Sequence, residues 1–436
     1  MLREEIGFKS LWFHNFNTHF RNRSQFRVIA FTANQIPDIE GRKYPAKLAG
    51  KLYPRGIPIY HESKLSYLIK KYNIDAVYFS YSDVSREYIM DKASLVLSCG
   101  ANFELLGPNY TMIESKKPLI SICATRTGAG KGTVARKILY LLKSKGYNPV
   151  AIRHPMPYGK IQEQICQRFS SLSDLDKYNC TLEEREEYLP YIEKGFVIYS
   201  GVDYEKILRE AEREGDTIVF ESGNNDFSFF KSDLYIVVAD PLRPEGVFSY
   251  PGQVNVRLAD LIIINKMNVA KKAEAELTIK NIRSINDEVR ITKAETVINV
   301  DRPELIRGKE VVLVEDSPSI THGGLSNGIS TIVAKKYRAR KVVDPKKFTV
   351  GVIKDLFKQY PRLNIIPTYG YTKKQITDLA KTLNNVKCDS IIFGSYSNLY
   401  DMVKLNKPVV RITYELREIE GDYIKRSLDK FLRSTR

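Results

Sequence analysis

The sequence predicts an α/β protein built on parallel sheets, and two observations carry that prediction. Short Ile- and Val-rich runs recur along the whole chain, and segments with helical spacing separate them. Strands apolar on both faces that alternate with helices are the pattern of parallel βαβ units, whose sheets are covered on both sides. At 436 residues the chain is too long for one core, and about 150 residues per domain suggests two to three. The alternation falls into three blocks, so three α/β domains are expected, over 1–115, 116–305 and 306–436.

The first block reads "FRVIAFTAN", "SKLSYLIKKYN", "DAVYFSYSDV", "SREYIMDKASLVLSCG" and "NFELLGP", a Rossmann-like flank. Polar residues follow its strands in "AFTANQIPDIEGRKYP" and "YFSYSDVSRE". The second block carries the strands "LISICAT", "VAIRHP", "DTIVFESG", "LYIVVAD" and "LADLIIINK". The third resumes with "EVVLVEDSP", "SIIFGS" and "PVVRITYEL". No repeat, low-complexity tract or long Gly/Ser linker interrupts the chain.

Composition bounds the classes of function. Hydrophobic residues make up 43%, yet no run approaches the roughly 18 to 20 apolar residues that cross a bilayer. The beginning "MLREEIGFKSLWFHNF" lacks the apolar core of a secretory signal. Five scattered cysteines without a C-x-x-C pair fit reduced thiols in a cytoplasmic protein. The formal net charge of +17 is spread along the chain, densest at "KKYRARK". No nucleic-acid motif accompanies it. Pockets for small polyanions, or a solvated basic surface, are the readings left; a homo-oligomer is compatible with both.

"LISICATRTGAGKGTVARKILYLLKSKGY" reads as buried strand, glycine turn and helix. Converging backbone N–H groups and the helix dipole make such a turn an anion site. The pattern G-x-x-x-x-G-K-[ST] fails twice, with Thr125 at the first glycine and Gly132 where a hydroxyl follows Lys131. Thr127, Gly128, Ala129, Gly130, Lys131, Gly132 and Thr133 are nevertheless the expected nucleotide-binding loop. Arg126, five residues before Lys131, stands where deviant loops of the dethiobiotin synthetase and MinD type place a second phosphate-binding cation. The "GKG" is similar to the related loop of CTP synthase. The expected core is therefore a P-loop NTPase of that dethiobiotin synthetase/MinD-like branch.

Without a hydroxyl at 132, Mg²⁺ needs carboxylates elsewhere. Glu221 ends the strand "DTIVFE" at the edge where ligands bind in parallel sheets, in a segment that resembles the "VEGAGG" of dethiobiotin synthetase. Asp226 and Asp240 are weaker candidates, because strand-end Asp residues also cap turns. "IIINKMN" resembles the guanine-reading N-K-x-D, but Asn268 replaces its carboxylate. Asn265 and Lys266 either flank the base or fill a strand end, and ATP is the expected nucleotide.

On the acceptor side, "AIRHPMPYGK" offers Arg153, His154 and Lys160 to an anionic substrate. His154 is alternatively a turn residue between prolines. The run Glu183, Glu184, Glu186 and Glu187 reads as a solvated helix start. "VLVEDSPSITHGG" ends a strand at Glu315 and Asp316 and then brings His322 before a Gly-Gly step. That is either a second anion-receptive helix start or a plain β-to-α turn.

Taken together, "IAFTANQIPDIEGRKYP", "RTGAGKG", "RHPMPYGK", "CTLEEREEYLP", "GVDYE", "GNNDFSFF", "VNVRLADLIIINK" and "VEDSPSITHGG" resemble the cyclic 2,3-diphosphoglycerate synthetase family, over nearly the whole chain. The resemblance implies an enzyme that uses ATP to close 2,3-diphosphoglycerate into an intramolecular phosphoanhydride, releasing ADP and phosphate. It implies catalytic roles for Lys131, Arg126, Arg153, His154 and Glu221. It also implies a small anionic phosphorylated metabolite held by Arg153, His154, Lys160 and His322, and Mg²⁺ at Glu221 and Asp240. The rival readings are a nucleotide-gated switch or assembly chaperone, and an ATP-dependent ligase that works through an acyl phosphate.

Overall fold

The computed structural model describes residues 2–6, 10–33, 41–155, 161–316, 328–368, 373–394 and 404–435. The chain gathers into two compact units. One comprises Met1–Arg168, Ile198–Thr296 and Leu416–Arg436; the other comprises Phe169–Val197 and Val297–Glu415.

The first unit holds two sheets. Strands β1 (Leu2–Ile6), β2 (Arg27–Ala33), β3 (Lys43–Tyr44), β4 (Ile57–His61), β5 (Ala76–Phe79) and β6 (Asn102–Glu104) form one, in the order β3-β4-β2-β1-β5-β6. All its pairs are parallel except β3 with β4. Its core is aromatic: Trp12 lies 4.0 Å from both Phe13 and Phe31, with Phe16, Phe20 and Tyr44 around them. Ring packing of this kind adds to the area term.

The second sheet of this unit carries the glycine turn. Its strands are β7 (Leu119–Ala124), β8 (Pro149–Arg153), β10 (Ile198–Ser200), β11 (Thr217–Glu221), β12 (Leu234–Ala239), β13 (Leu261–Ile264) and the start of β14 (Arg290–Val300), with β9 (Gln167–Phe169) preceding β10 in the chain. The order β14-β13-β12-β7-β11-β8-β10 is parallel throughout. β7, β11, β12 and β13 are buried along their whole length, as Ile/Val runs apolar on both faces require. Because β11 inserts between β7 and β8, the chain reverses its direction of travel at β7. A crevice opens beyond the carboxyl ends at such a point.

The expected boundary near 115 is thus a boundary between sheets inside one compact unit. The third block divides, because its last helix, Tyr423–Ser434, belongs with the first unit. Lys145 Nζ meets Asp429 at 2.6 Å, and Thr292 Oγ1 donates to Glu418 at 2.6 Å.

The second unit is built on β15 (Glu310–Asp316), β16 (Lys341–Val342), β17 (Ile366–Thr368), β18 (Ser390–Phe393) and β19 (Val409–Glu418); β15 pairs in parallel with β16, β17 and β18, and β18 in parallel with β19. It corrects one expectation. The acidic run does begin a helix, Leu182–Ile192, but Glu183 and Glu184 are buried rather than solvated. Glu184 turns back to accept from Thr181 N at 2.8 Å and Thr181 Oγ1 at 3.0 Å, a capping box that draws it inward.

Candidate active site

The helix Lys131–Ser144 starts directly after the glycine turn, with Gly130 in the left-handed region at φ 105°. A β-carbon at Gly130 would stand 2.3 Å from Asn265 Nδ2, so both conformation and space demand glycine there. Asn265 donates from Nδ2 to the Ala129 carbonyl at 3.0 Å, and Thr296 Oγ1 donates to its Oδ1 at 3.3 Å. Its observed role is to brace the turn. Thr133 Oγ1 closes the first helical turn onto Gly130 O at 2.7 Å.

Beneath the turn lies a buried polar network. Asn255 Nδ2 donates to the carbonyls of Ala124 (2.9 Å) and Asn225 (2.7 Å), while Asn225 Nδ2 and Ser249 Oγ donate to Thr125 O at 3.2 and 2.8 Å. These bonds tie the segment 223–226 to the end of β7, and Lys131 Nζ donates into it at the Asn224 carbonyl. Lys131 is buried, and burial pushes its ammonium pKa down, opposed by the Glu221 charge nearby.

Glu221 ends β11 in register with Arg153 of β8 on one side and Ile122 of β7 on the other. Arg153 Nη1 and Glu221 Oε2 meet at 2.5 Å, both side chains at least nine-tenths buried. Such a pair is costly to desolvate and costlier to break. A side chain at position 132 would begin 3.4 Å from Glu221 Oε1 and 3.1 Å from Arg136 Nη1. Glu221 therefore stands beside the place where the usual loop hydroxyl would be. That fits it to serve as the protein ligand of a magnesium ion, which needs only one or two carboxylates beside substrate phosphates and water.

The remaining candidates separate. His154 follows Arg153 at the end of β8, half-buried. Arg126 is about one-third exposed, with Nη1 at 3.7 Å from Glu245. Asp240 is engaged twice, by Lys266 Nζ at 2.7 Å and Leu242 N at 3.1 Å, and Asp226 is fully buried near Lys131. Asn268 is held to strand β14 through both ends of its amide, by Thr296 O at 3.2 Å and Thr296 N at 3.4 Å. Among the described residues no three His, Cys, Asp or Glu side chains converge as a metal cluster. Lys160 and His322 lie outside the described residues.

Sequence reasoning passes over Arg136, Asn224, Asn225, Ser249 and Asn255. Arg136 has a usable signal, because it lies four residues after Gly132 and so shares its helical face. Asn224 and Asn225 have none beyond the polar run "GNND" behind Glu221, and Asn255 none beyond its place in "VNVRLADLIIINK". None of the five cysteines is paired, and burial pushes Cys123, behind the turn, up to about 11.

The fold and the site define an α/β protein whose strand, glycine turn and helix are flanked by a buried Arg–Glu pair. No protein-family model matches the chain. Arginine synthetase ArcE of Thermococcus kodakarensis is 50% identical over 424 residues, 97% of this chain and 95% of that protein. The chain belongs to that family, and it is an ATP-dependent synthetase. Cyclic 2,3-diphosphoglycerate synthetase of Thermococcus sibiricus is 35% identical over 129 residues, 28% of each chain. Among solved structures, LpxK from Aquifex aeolicus in complex with ATP matches 85% of this chain and 98% of its own, at 10% identity and a TM-score of 0.43. Hydrogenase maturation factor HypB from Archaeoglobus fulgidus matches 41% and 81%, at 16% identity and 0.28. Both scores fall below the level that defines a shared fold. Among the described residues no helix is long and apolar enough to cross a membrane.

Proposed function

We propose that this chain makes arginine by ATP-driven phosphoryl activation of an oxygen that nitrogen then replaces. The carrying observation is half identity to arginine synthetase ArcE over nearly the full length of both proteins. The chemistry that a guanidinium product requires fits the site. The last C–N bond is formed most directly on a ureido amino acid, citrulline in the simplest case, whose oxygen is a poor leaving group. Transfer of the γ-phosphoryl to that oxygen releases ADP and makes phosphate the leaving group. Ammonia then attacks the carbon, expels phosphate and loses its extra proton to give arginine.

In this reading the backbone of residues 127–133 holds the nucleotide phosphates, and Lys131 leaves the Asn224 carbonyl to meet developing charge on the transferred group. Arg153 would hold the phosphorylated oxygen, and its pairing with Glu221 supports a role for Glu221 in orienting it. Magnesium, held at Glu221, would supply further neutralisation of phosphate charge. Arg126 would be a second cation on the nucleotide phosphates, and His154, with Lys160 and His322 from the sequence resemblance, would add to the contacts of the acceptor.

The test is direct: incubate the full chain with Mg-ATP, citrulline and ammonium, and measure arginine and ADP. They should appear in equal amounts. Failure of arginine to form, with ATP turned over instead on 2,3-diphosphoglycerate to give a new anhydride phosphorus resonance, would establish the second reading. That reading rests on the shorter similarity to the cyclic synthetase. It would use the same loop to phosphorylate one substrate phosphate before its tethered neighbour attacks.

ATP should bind at least as tightly as GTP. Guanine recognition by a paired acceptor is worth about 1–3 kcal/mol by analogy with base readout. Asn268, whose amide is already committed to Thr296, has no carboxylate to supply it. Dissociation constants for both magnesium nucleotides decide this, and a preference for GTP of about a hundredfold would contradict it.

A further inference from the structure

Gly132 is a glycine that backbone conformation does not require. Gly128 and Gly130 take φ values of 81° and 105°, which favour glycine. Gly132 instead lies in the helix Lys131–Ser144, where glycine is a poor choice. Space explains it. A β-carbon there would meet Arg136 Nη1 at 3.1 Å and the two Glu221 carboxylate oxygens at 3.4 and 3.7 Å. The first of these contacts is tighter than a β-carbon ordinarily makes, and a serine or threonine would bring a further atom into the same space.

Helix geometry carries Arg136 to that point. It follows Gly132 by four residues and shares its face, and helical side chains lean toward the N-terminus. Its guanidinium is thereby drawn back over the first turn. Arg136 is only 8% exposed, and an arginine cannot shed its charge. A full positive charge is therefore buried beside a helix start whose backbone N–H groups suit an anion.

The neighbouring charges point the same way. Buried charges need compensation. Three buried cations, Lys131, Arg136 and Arg153, gather with the buried carboxylates of Glu221 and Asp226, a set that favours a polyanion. In ordinary loops the residue after the lysine presents a hydroxyl to magnesium. The next hydroxyl along, Thr133 Oγ1, is turned back to Gly130 O at 2.7 Å. Arg136 Nη1 is what stands at the position a side chain on residue 132 would take.

We propose that Arg136 contacts the terminal phosphates of the nucleotide from that position, and that residue 132 is glycine in order to admit it. The role rests on residues 127–133 holding the nucleotide, as proposed above; it does not depend on which acceptor is phosphorylated.

ATP affinity on the full chain, measured by calorimetry in EDTA and again with magnesium, tests this alongside turnover and thermal melts. Arg136→Met keeps an unbranched stem but removes the charge. It should weaken metal-free ATP by on the order of tenfold and lower turnover by on the order of a hundredfold. Arg136→Lys restores a charge and should recover most of the metal-free affinity. An arginine that only supports the helix would shift the melting temperature in both variants and leave that affinity where it was. Gly132→Ser, which restores the common hydroxyl after Lys131, should lower turnover by on the order of tenfold rather than raise it. The proposal is overturned if metal-free ATP binds folded Arg136→Met as it binds wild type, or if Gly132→Ser turns over at least as fast as wild type. Should Arg136→Met not fold, Gly132→Ser decides. Normal turnover in Lys131→Ala would instead remove the loop reading on which the role rests.

Discussion

Lys131→Ala is expected to lower turnover by a hundredfold or more while leaving the melting temperature essentially unchanged. Removing a preorganised charge from a developing phosphoryl centre costs on the order of 3 kcal/mol. The fold should not suffer, because burial pushes the Lys131 ammonium pKa down, so the charge is held at a net cost. Its donation to the Asn224 carbonyl is replaceable by water once the side chain is gone. Single-turnover rates and thermal melts on the same preparation separate the two effects. Near-normal turnover in a folded variant would remove the phosphate-loop reading.

The second large effect concerns the buried Arg153–Glu221 pair. Glu221→Gln should destabilise the protein by about 3–5 kcal/mol, because it leaves the Arg153 charge buried without its partner. Turnover should fall with it. Combining Glu221→Gln with Arg153→Met should recover most of the stability, since a neutral pair avoids the desolvation penalty, but none of the turnover. A pair that only holds the sheet edge together would behave differently: the double variant would recover both.

Much of the site is legible in the amino-acid sequence, for reasons that differ by residue. Gly130 and Lys131 announce themselves because a strand-to-helix turn that approaches an anion needs those residue types. Glu221 and Arg153 are recognisable singly as polar residues ending apolar strands. Their pairing is not, because it depends on β11 inserting between β7 and β8, a long-range choice that no local pattern encodes. Spacing suggests Asn265 as a residue flanking a base, but Gly130 leaves room for it against the turn, a packing fact beyond the reach of spacing. Glu183 and Glu184 read as solvated because an acidic run usually is; a capping box and tertiary burial override that.

The central claim is that the γ-phosphoryl passes to the oxygen that nitrogen later replaces, and isotope transfer tests it most directly. Citrulline labelled with ¹⁸O at the ureido position is supplied with Mg-ATP and ammonium, and the released phosphate is read by phosphorus NMR. The account predicts ADP and arginine in equal amounts, with the label in the phosphate. Arginine formed with unlabelled phosphate, or with AMP and pyrophosphate in place of ADP, would contradict it.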